Sequence, residues 1–153
     1  MFSRPFACAA LSMLVASALC SGCSPCAPRT RTSAQLLVGT LEATRVQSFA
    51  EAIAGARFSG QQPIEARVLS ELEAATVQLV RIQGAEQPHR HADHDLVVML
   101  VEGRGTMRLG EHEVDMTRGD AVVIARNVVH AFRNADPAGS VALVVRAPAA
   151  ASH

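Results

Sequence analysis

A chain of 153 residues is long enough for one domain with a hydrophobic core that needs no disulfides. Its 14 basic residues, all of them arginine, balance its 14 acidic residues without a run of one sign, so no nucleic-acid partner is predicted. The absence of lysine and tyrosine excludes Schiff-base chemistry and a tyrosine general acid.

The first residues are typical of an export signal. Arg4 precedes a short apolar run, from residue 7 to residue 20, that is too brief to span a bilayer. We therefore predict a signal peptide over residues 1–22 and export to the periplasm or the outer membrane. The small residues before Cys23 resemble a bacterial lipoprotein signal, although Cys20 replaces the usual leucine. Cys23 is thus a candidate for lipidation, with ordinary cleavage nearby as the alternative.

The next segment is predicted to be a tether. Residues 24 to about 35 are rich in Pro, Ser, Thr and Arg, and all four cysteines precede residue 27. No disulfide or thiol nucleophile is therefore expected in the folded domain. We assign residues 23–40 to a lipid anchor and flexible linker, 41–147 to the folded domain and 148–153 to a disordered tail. The lipid anchor is the only membrane contact predicted.

The domain is predicted to begin with a short helix and to continue in strands. Ser48 and Glu51 form a capping-box pair, and apolar residues follow at helical spacing. Beyond Gly60 the hydrophobic pattern has a period of two, which is typical of strands with one buried face. The predicted strands are 64–68, 77–82, 96–101, 106–109, 113–116, 121–124, 131–133 and 141–145. Short strands separated by turn residues predict an all-β sandwich or barrel.

Three of the six histidines lie between residues 84 and 95. On an extended strand His89 and His91 point to the same face, so both imidazoles can reach one ion. His130 follows the predicted strand 121–124 and a turn, and closure of a barrel would bring it to the first pair. These three histidines are candidate metal ligands.

The two histidine segments resemble the paired motifs of the cupin superfamily, roughly G-x5-H-x-H-x(3,4)-E-x6-G and G-x5-P-x-G-x2-H-x3-N. Gly84 lies one residue closer to the histidine pair than the motif requires. The resemblance covers residues 62–146 and implies one antiparallel β-barrel of the jelly-roll, or double-stranded β-helix, type, which often forms homodimers. The matching positions are Gly84, His89, His91, Gly103, Gly119, His130 and Asn134.

The metal-binding glutamate of the first motif has two alternative positions in this chain. The longer spacer places it on Leu96, and the shorter one places it on Asp95. Asp95 is a candidate fourth ligand if a bulge re-aims its short side chain, and His94 is a competing candidate. We slightly favour an inward Leu96, because the distance to Gly103 fits the longer spacer and Leu96 begins an apolar strand.

The second motif also departs from the family pattern. Ala125 and Asn127 replace its Pro and Gly, but Asn tolerates a left-handed turn, so this change concerns the backbone and not the ligands.

The resemblance implies one divalent transition metal, namely iron, zinc, nickel or manganese, and a small-molecule ligand. Two functions are open, because cupins include enzymes and binding proteins. One is a metal-dependent oxidoreductase or isomerase, such as a dioxygenase, whose catalytic residues the sequence does not identify. The other is a non-catalytic module of the cell envelope that captures a metal or a small ligand. A purely structural role, as a dimer paired through sheet edges, would leave the three histidines unexplained.

Overall fold

The computed structural model describes residues 34–39 and 44–148. The predicted signal peptide, the lipidation site at Cys23, most of the predicted linker and the tail beyond Pro148 lie outside these residues. Within the described part of the chain, no helix is long and apolar enough to cross a membrane.

Most of the described residues lie in strands and one short helix is present, so the predicted all-β class is confirmed. All eight predicted strands are present, and most are longer than predicted. The elements in chain order are β1 (Gln35–Gly39), β2 (Thr44–Ser48), α1 (Phe49–Ala56), β3 (Ile64–Leu72), β4 (Ala75–Ile82), β5 (His94–Glu102), β6 (Arg104–Leu109), β7 (His112–Thr117), β8 (Ala121–Ile124), β9 (His130–Asn134) and β10 (Ser140–Pro148).

Two antiparallel sheets enclose the main core. The larger sheet has the strand order β3-β4-β10-β5-β8, and the smaller has the order β7-β6-β9. Their inner faces share one hydrophobic cluster, to which the larger sheet contributes Leu96 and Leu100 and the smaller contributes Met107 and Phe132. This arrangement is the jelly roll that the sequence predicts.

Burial alternates along the first half of β5 and separates the two faces of the larger sheet, although residues 96–101 are all apolar. Leu96 and Leu100 are buried between the sheets, whereas Val97, which points the other way, is 43% exposed. Helix α1 and strand β1 cover another part of the outer face, where Ala52 and Leu36 pack in a second cluster. The inner faces of the two sheets enclose a cavity.

The capping box predicted at Ser48 is present. The Ser48 N–H donates to Glu51 Oε2 at 2.7 Å, and the Glu51 N–H donates to Ser48 Oγ at 3.2 Å. These two bonds satisfy backbone donors that the first turn of α1 leaves free.

Residues 35–39, at the end of the predicted linker, form strand β1. This strand pairs with β2 in a separate two-stranded sheet, and Leu36 is buried. The run Leu36-Leu37-Val38 is apolar enough to favour a strand, although it follows a segment with the composition of a tether. Pro148, the first residue of the predicted tail, is the last residue of β10.

Candidate metal centre

Backbone hydrogen bonds bring the two histidine segments together. The His89 N–H donates to the His130 carbonyl at 2.9 Å, and the His130 N–H donates to the His89 carbonyl at 2.8 Å. Glu86 also donates its N–H to the Phe132 carbonyl, so the segment before His89 runs antiparallel to β9. The first histidine is therefore fixed beside the third by the sheet itself.

A turn before β9 fixes His91 in the same way. The Asn127 N–H donates to the His91 carbonyl at 2.6 Å. Asn127 has a φ of 65°, the left-handed conformation that a glycine adopts easily and that Asn tolerates. The replacement of the motif's Gly by Asn127 thus keeps the turn.

The three imidazoles converge. One ligand atom from each of His89, His91 and His130 lies within 4.8 Å of the other two. Two nitrogens that each lie about 2.1 Å from one tetrahedral ion are about 3.4 Å apart, so small ring rotations would close the set around an ion. The donor set fits a transition metal that accepts imidazole ligands.

Backbone carbonyls orient two of the rings. Nδ1 of His89 lies 2.9 Å from the Gln87 carbonyl oxygen, and Nδ1 of His130 lies 2.9 Å from the Val128 carbonyl oxygen. Because a carbonyl oxygen can only accept, these contacts favour the tautomer of each neutral ring that carries its proton on Nδ1 and keeps the lone pair on Nε2. This arrangement is usual for metal-binding histidines.

His91 is held in its neutral form. Burial, followed by the neighbouring His94, His130, His89 and Arg146, lowers the pKa of His91 to about 4. The imidazole is therefore uncharged near neutral pH, which is the state that binds a metal.

His94, the competing fourth ligand, is buried behind His91. Its ring centroid lies 4.4 Å from that of His91. Nδ1 of His94 lies 2.7 Å from an Asp93 carboxylate oxygen, and Nε of Arg146 donates to Nε2 of His94 at 3.2 Å. Both ring nitrogens are thus already hydrogen-bonded.

Asp95 lies away from the three histidines. Its Oδ1 accepts the Arg126 N–H at 2.7 Å and lies 3.5 Å from Nε of the same residue. Strand β5 pairs regularly with β10 on both sides of Asp95, so no bulge re-aims this side chain. Leu96, in contrast, is buried and lines the same cavity as the three histidines.

The cavity between the sheets has a volume of about 240 Å³. Most of its lining side chains are aliphatic or aromatic, including Leu96, Val98 and Phe132. Apart from the three histidines, its polar lining consists of Gln78, Glu86 and Arg146. An apolar cavity with a few polar groups is the usual form of a small-molecule site.

Sequence reasoning missed these three polar residues. Arg146 carried a signal, because it continues the inward phase of β10 set by Ala142 and Val144 and a charged residue there is unusual. Glu86 makes a hydrogen bond within the fold, since its carboxylate accepts the Phe132 N–H at 2.9 Å.

Two other motif positions serve the fold. Gly103 has a φ of 83°, and a Cβ at this position would overlap Ser140. Ser140 is fully buried, and its hydroxyl lies 2.7 Å from Oδ1 of Asn134. Gly103 and Asn134 therefore stabilise the turns next to strands β6 and β9 of the smaller sheet. Neither residue lines the cavity.

Comparisons with known proteins agree with this fold. A family model described as a cupin domain matches residues 77–146. Residues 77–146 are therefore similar to a cupin domain. It is also 34% identical over 73 residues to an uncharacterized protein of Aquifex aeolicus (strain VF5), and this alignment spans 48% of the chain and 60% of that relative.

Solved cupin structures share the fold at low sequence identity. A cupin-2 domain protein from Shewanella frigidimarina NCIMB 400 matches with a TM-score of 0.57 and 22% identity, over 66% of this chain and 93% of that one. The cupin domain of Cnp3 from Schizosaccharomyces pombe matches with a TM-score of 0.58 and 10% identity, over 77% of this chain and 88% of that one. At these identities the likeness concerns the fold alone.

Proposed function

We propose that this cupin domain binds one divalent transition metal through His89, His91 and His130 and takes a small organic ligand in the adjoining cavity. The observation that carries the proposal is the convergence of three imidazoles, two of which have their Nδ1 protons directed to backbone carbonyls. Three neutral nitrogen donors suit iron, zinc or nickel better than manganese, which prefers oxygen.

Three protein ligands would leave positions on the metal open to the small ligand. A bound metal supplies Lewis-acid polarisation of a ligand oxygen, which is the chemistry that an enzyme of this kind would need. The apolar cavity wall, including Leu96 and Phe132, would exclude water from the ligand. A metal-dependent oxidoreductase or isomerase is the catalytic form of this proposal.

A non-catalytic binding module is the second candidate, and one observation favours it. Among the described residues that line the cavity, Glu86 is the one carboxylate, and it already accepts the Phe132 N–H. A reaction that needs a general base would therefore have few groups to use. An oxygen-consumption screen with the iron-loaded protein separates a dioxygenase from a binding module.

Titration of the metal-free protein with zinc by calorimetry, together with metal analysis of the purified protein, tests the proposed site. We expect His91→Ala and His130→Ala each to weaken zinc binding at least about tenfold. His112→Ala is the matched control, because His112 is exposed on β7 and outside the cluster. Equal zinc affinity in the wild type and His91→Ala would contradict the proposal.

We also propose that the protein is exported and carries lipid at Cys23. The small residues before this cysteine support the proposal. The full chain should partition into detergent after expression in a Gram-negative host, and Cys23→Ser should move it to the aqueous phase. An aqueous wild-type product whose N-terminus lies beyond Cys23 would contradict lipidation.

A further inference from the structure

Arg146 places a permanent positive charge in the cavity wall. It lies on β10, directly across from Leu96 on β5, and both side chains line the cavity that holds the three histidines. Its neighbours in the inward phase of β10, Ala142 and Val144, are apolar. A guanidinium at this position is not needed for core packing, and burying it partly has an electrostatic cost.

The guanidinium is only partly used within the chain. Nε of Arg146 donates to Nε2 of His94, and no described residue accepts a hydrogen bond from its two terminal nitrogens. No described carboxylate lies within ion-pair distance of it either. Since no buried side-chain nitrogen in the described chain lacks a partner, the terminal nitrogens reach accessible space. They are free to bind a ligand.

A chain of hydrogen bonds fixes the direction of this side chain. Asp93 binds Nδ1 of His94, which leaves Nε2 of that ring as the acceptor for Arg146. His94 is 4% exposed, so it is a rigid support. A guanidinium held at Nε presents its terminal nitrogens in a fixed fork, which matches the two oxygens of a carboxylate.

We propose that Arg146 determines specificity by binding the carboxylate of a small organic acid, whose apolar part lies among the aliphatic side chains of the cavity. This inference rests on the proposed function, because the ligand occupies the cavity beside the three histidines. Neutral imidazoles, a divalent ion and a guanidinium together give a positive site. Glu86 does not balance it alone, so an anionic ligand is favoured over a neutral one.

The cavity size and lining narrow the class of acid. A volume of about 240 Å³ lies below the range typical of drug-sized ligands. The lining beyond Arg146 is mainly apolar, with Gln78 as one further polar side chain. Short-chain or single-ring monocarboxylates fit these properties, whereas sugars and phosphate esters would leave polar groups unpaired.

Calorimetry with benzoate and butanoate, each paired with its primary alcohol, tests the proposal on the full chain with and without zinc. We expect Arg146→Gln to weaken binding of the acids at least about tenfold, and to change binding of the alcohols less than about twofold. Arg146→Lys keeps the charge without the fork and should give an intermediate loss. Arg133→Gln is the matched control, because Arg133 is exposed on β9 and does not line this cavity.

The outcomes separate this inference from the proposed metal site. Equal binding of the acids by the wild type and Arg146→Gln would overturn the role of Arg146, as would alcohols that bind as tightly as the acids. Absence of binding of either acid at millimolar concentration to the zinc-loaded wild type would also overturn it. Zinc content reports the metal site independently, so a wild type that binds benzoate through Arg146 but holds no zinc would contradict only the metal proposal.

Discussion

Arg146 donates its Nε–H to Nε2 of His94 at 3.2 Å, across 52 residues of sequence. This bond occupies the ring nitrogen that His94 would need in order to reach an ion, since its other nitrogen lies beside Asp93. We therefore expect His94→Leu to keep the zinc affinity of the wild type within about threefold. The same variant should weaken benzoate binding, because Arg146 loses its support.

The His94→Leu experiment uses two readouts, zinc titration and benzoate titration. Loss of zinc binding as large as that of His91→Ala would show that His94 is a ligand after all. Unchanged benzoate binding would show that His94 does not position Arg146. Circular dichroism checks that the variant keeps its strands.

A second prediction concerns Asp95, the other candidate for the fourth position. Its carboxylate accepts the Arg126 N–H and lies on the exposed side of β5. We expect Asp95→Ala to leave zinc affinity unchanged and to lower the free energy of unfolding by about 0.5–1.5 kcal/mol, through the lost hydrogen bond and exposed ion pair. Zinc titration and chemical denaturation measure the two effects. A tenfold or larger loss of zinc affinity would mean that Asp95 turns inward when metal is bound.

Local patterns were sufficient to predict much of this molecule. The apolar run from Leu96 to Val101 predicted the strand, and the motif spacing to Gly103 favoured an inward Leu96, which is buried. The spacing of His89 and His91 predicted that both imidazoles share a face. The addition of His130 depended on the predicted closure of a barrel, which is a non-local property, and the resemblance to the second cupin motif supported it.

The features that sequence reasoning missed depend on contacts between distant segments. The burial of His94 comes from packing near the end of β10 and from its bond to Arg146, and the local sequence around it resembles a polar loop. Strand β1 was also missed, because the composition before Leu36 is typical of a tether. The pairing of β1 with β2 depends on a neighbouring segment.

A third prediction concerns pH and the loop between α1 and β3. Glu65 is 6% exposed, and its carboxylate accepts the N–H groups of Ser59 and Gly60 at 2.7 and 2.6 Å. The pKa of Glu65 is lowered from its ordinary value of 4.5. The hydrogen bond from the Ser59 N–H lowers this pKa most, the Gly60 N–H and Arg67 lower it further, and burial opposes them. Its contribution to stability is therefore present above pH 4.5 and decreases as the pH falls through the lowered pKa.

Thermal unfolding of Glu65→Gln at several pH values checks this prediction. The variant should unfold at a lower temperature than the wild type at pH 7, and the difference should shrink below about pH 4.5. Glu113→Gln is the control, because no described residue donates a hydrogen bond to the exposed Glu113 carboxylate. A difference that stays constant between pH 7 and pH 3 would contradict the role of the ionised carboxylate.

The last prediction tests the register of β5 at the metal centre. Leu96 lies inward where the longer motif spacer places a glutamate, and it lines the cavity together with His91. Leu96→Glu should therefore add a carboxylate donor to the three imidazoles. Without metal, the buried carboxylate should lower the free energy of unfolding by roughly 2–4 kcal/mol, because a charged group replaces an apolar one. Added metal should recover much of this loss, since binding to the folded state stabilises it.

Manganese is the sharpest probe of Leu96→Glu, because this hard ion gains most from an oxygen donor. We expect its affinity for the variant to exceed that for the wild type at least about tenfold in calorimetry. Val97→Glu is the matched control, because Val97 is the next residue on the same strand and is 43% exposed on the opposite face. It should leave manganese affinity at the wild-type level. A gain with Val97→Glu and none with Leu96→Glu would show that β5 presents the other face to the metal.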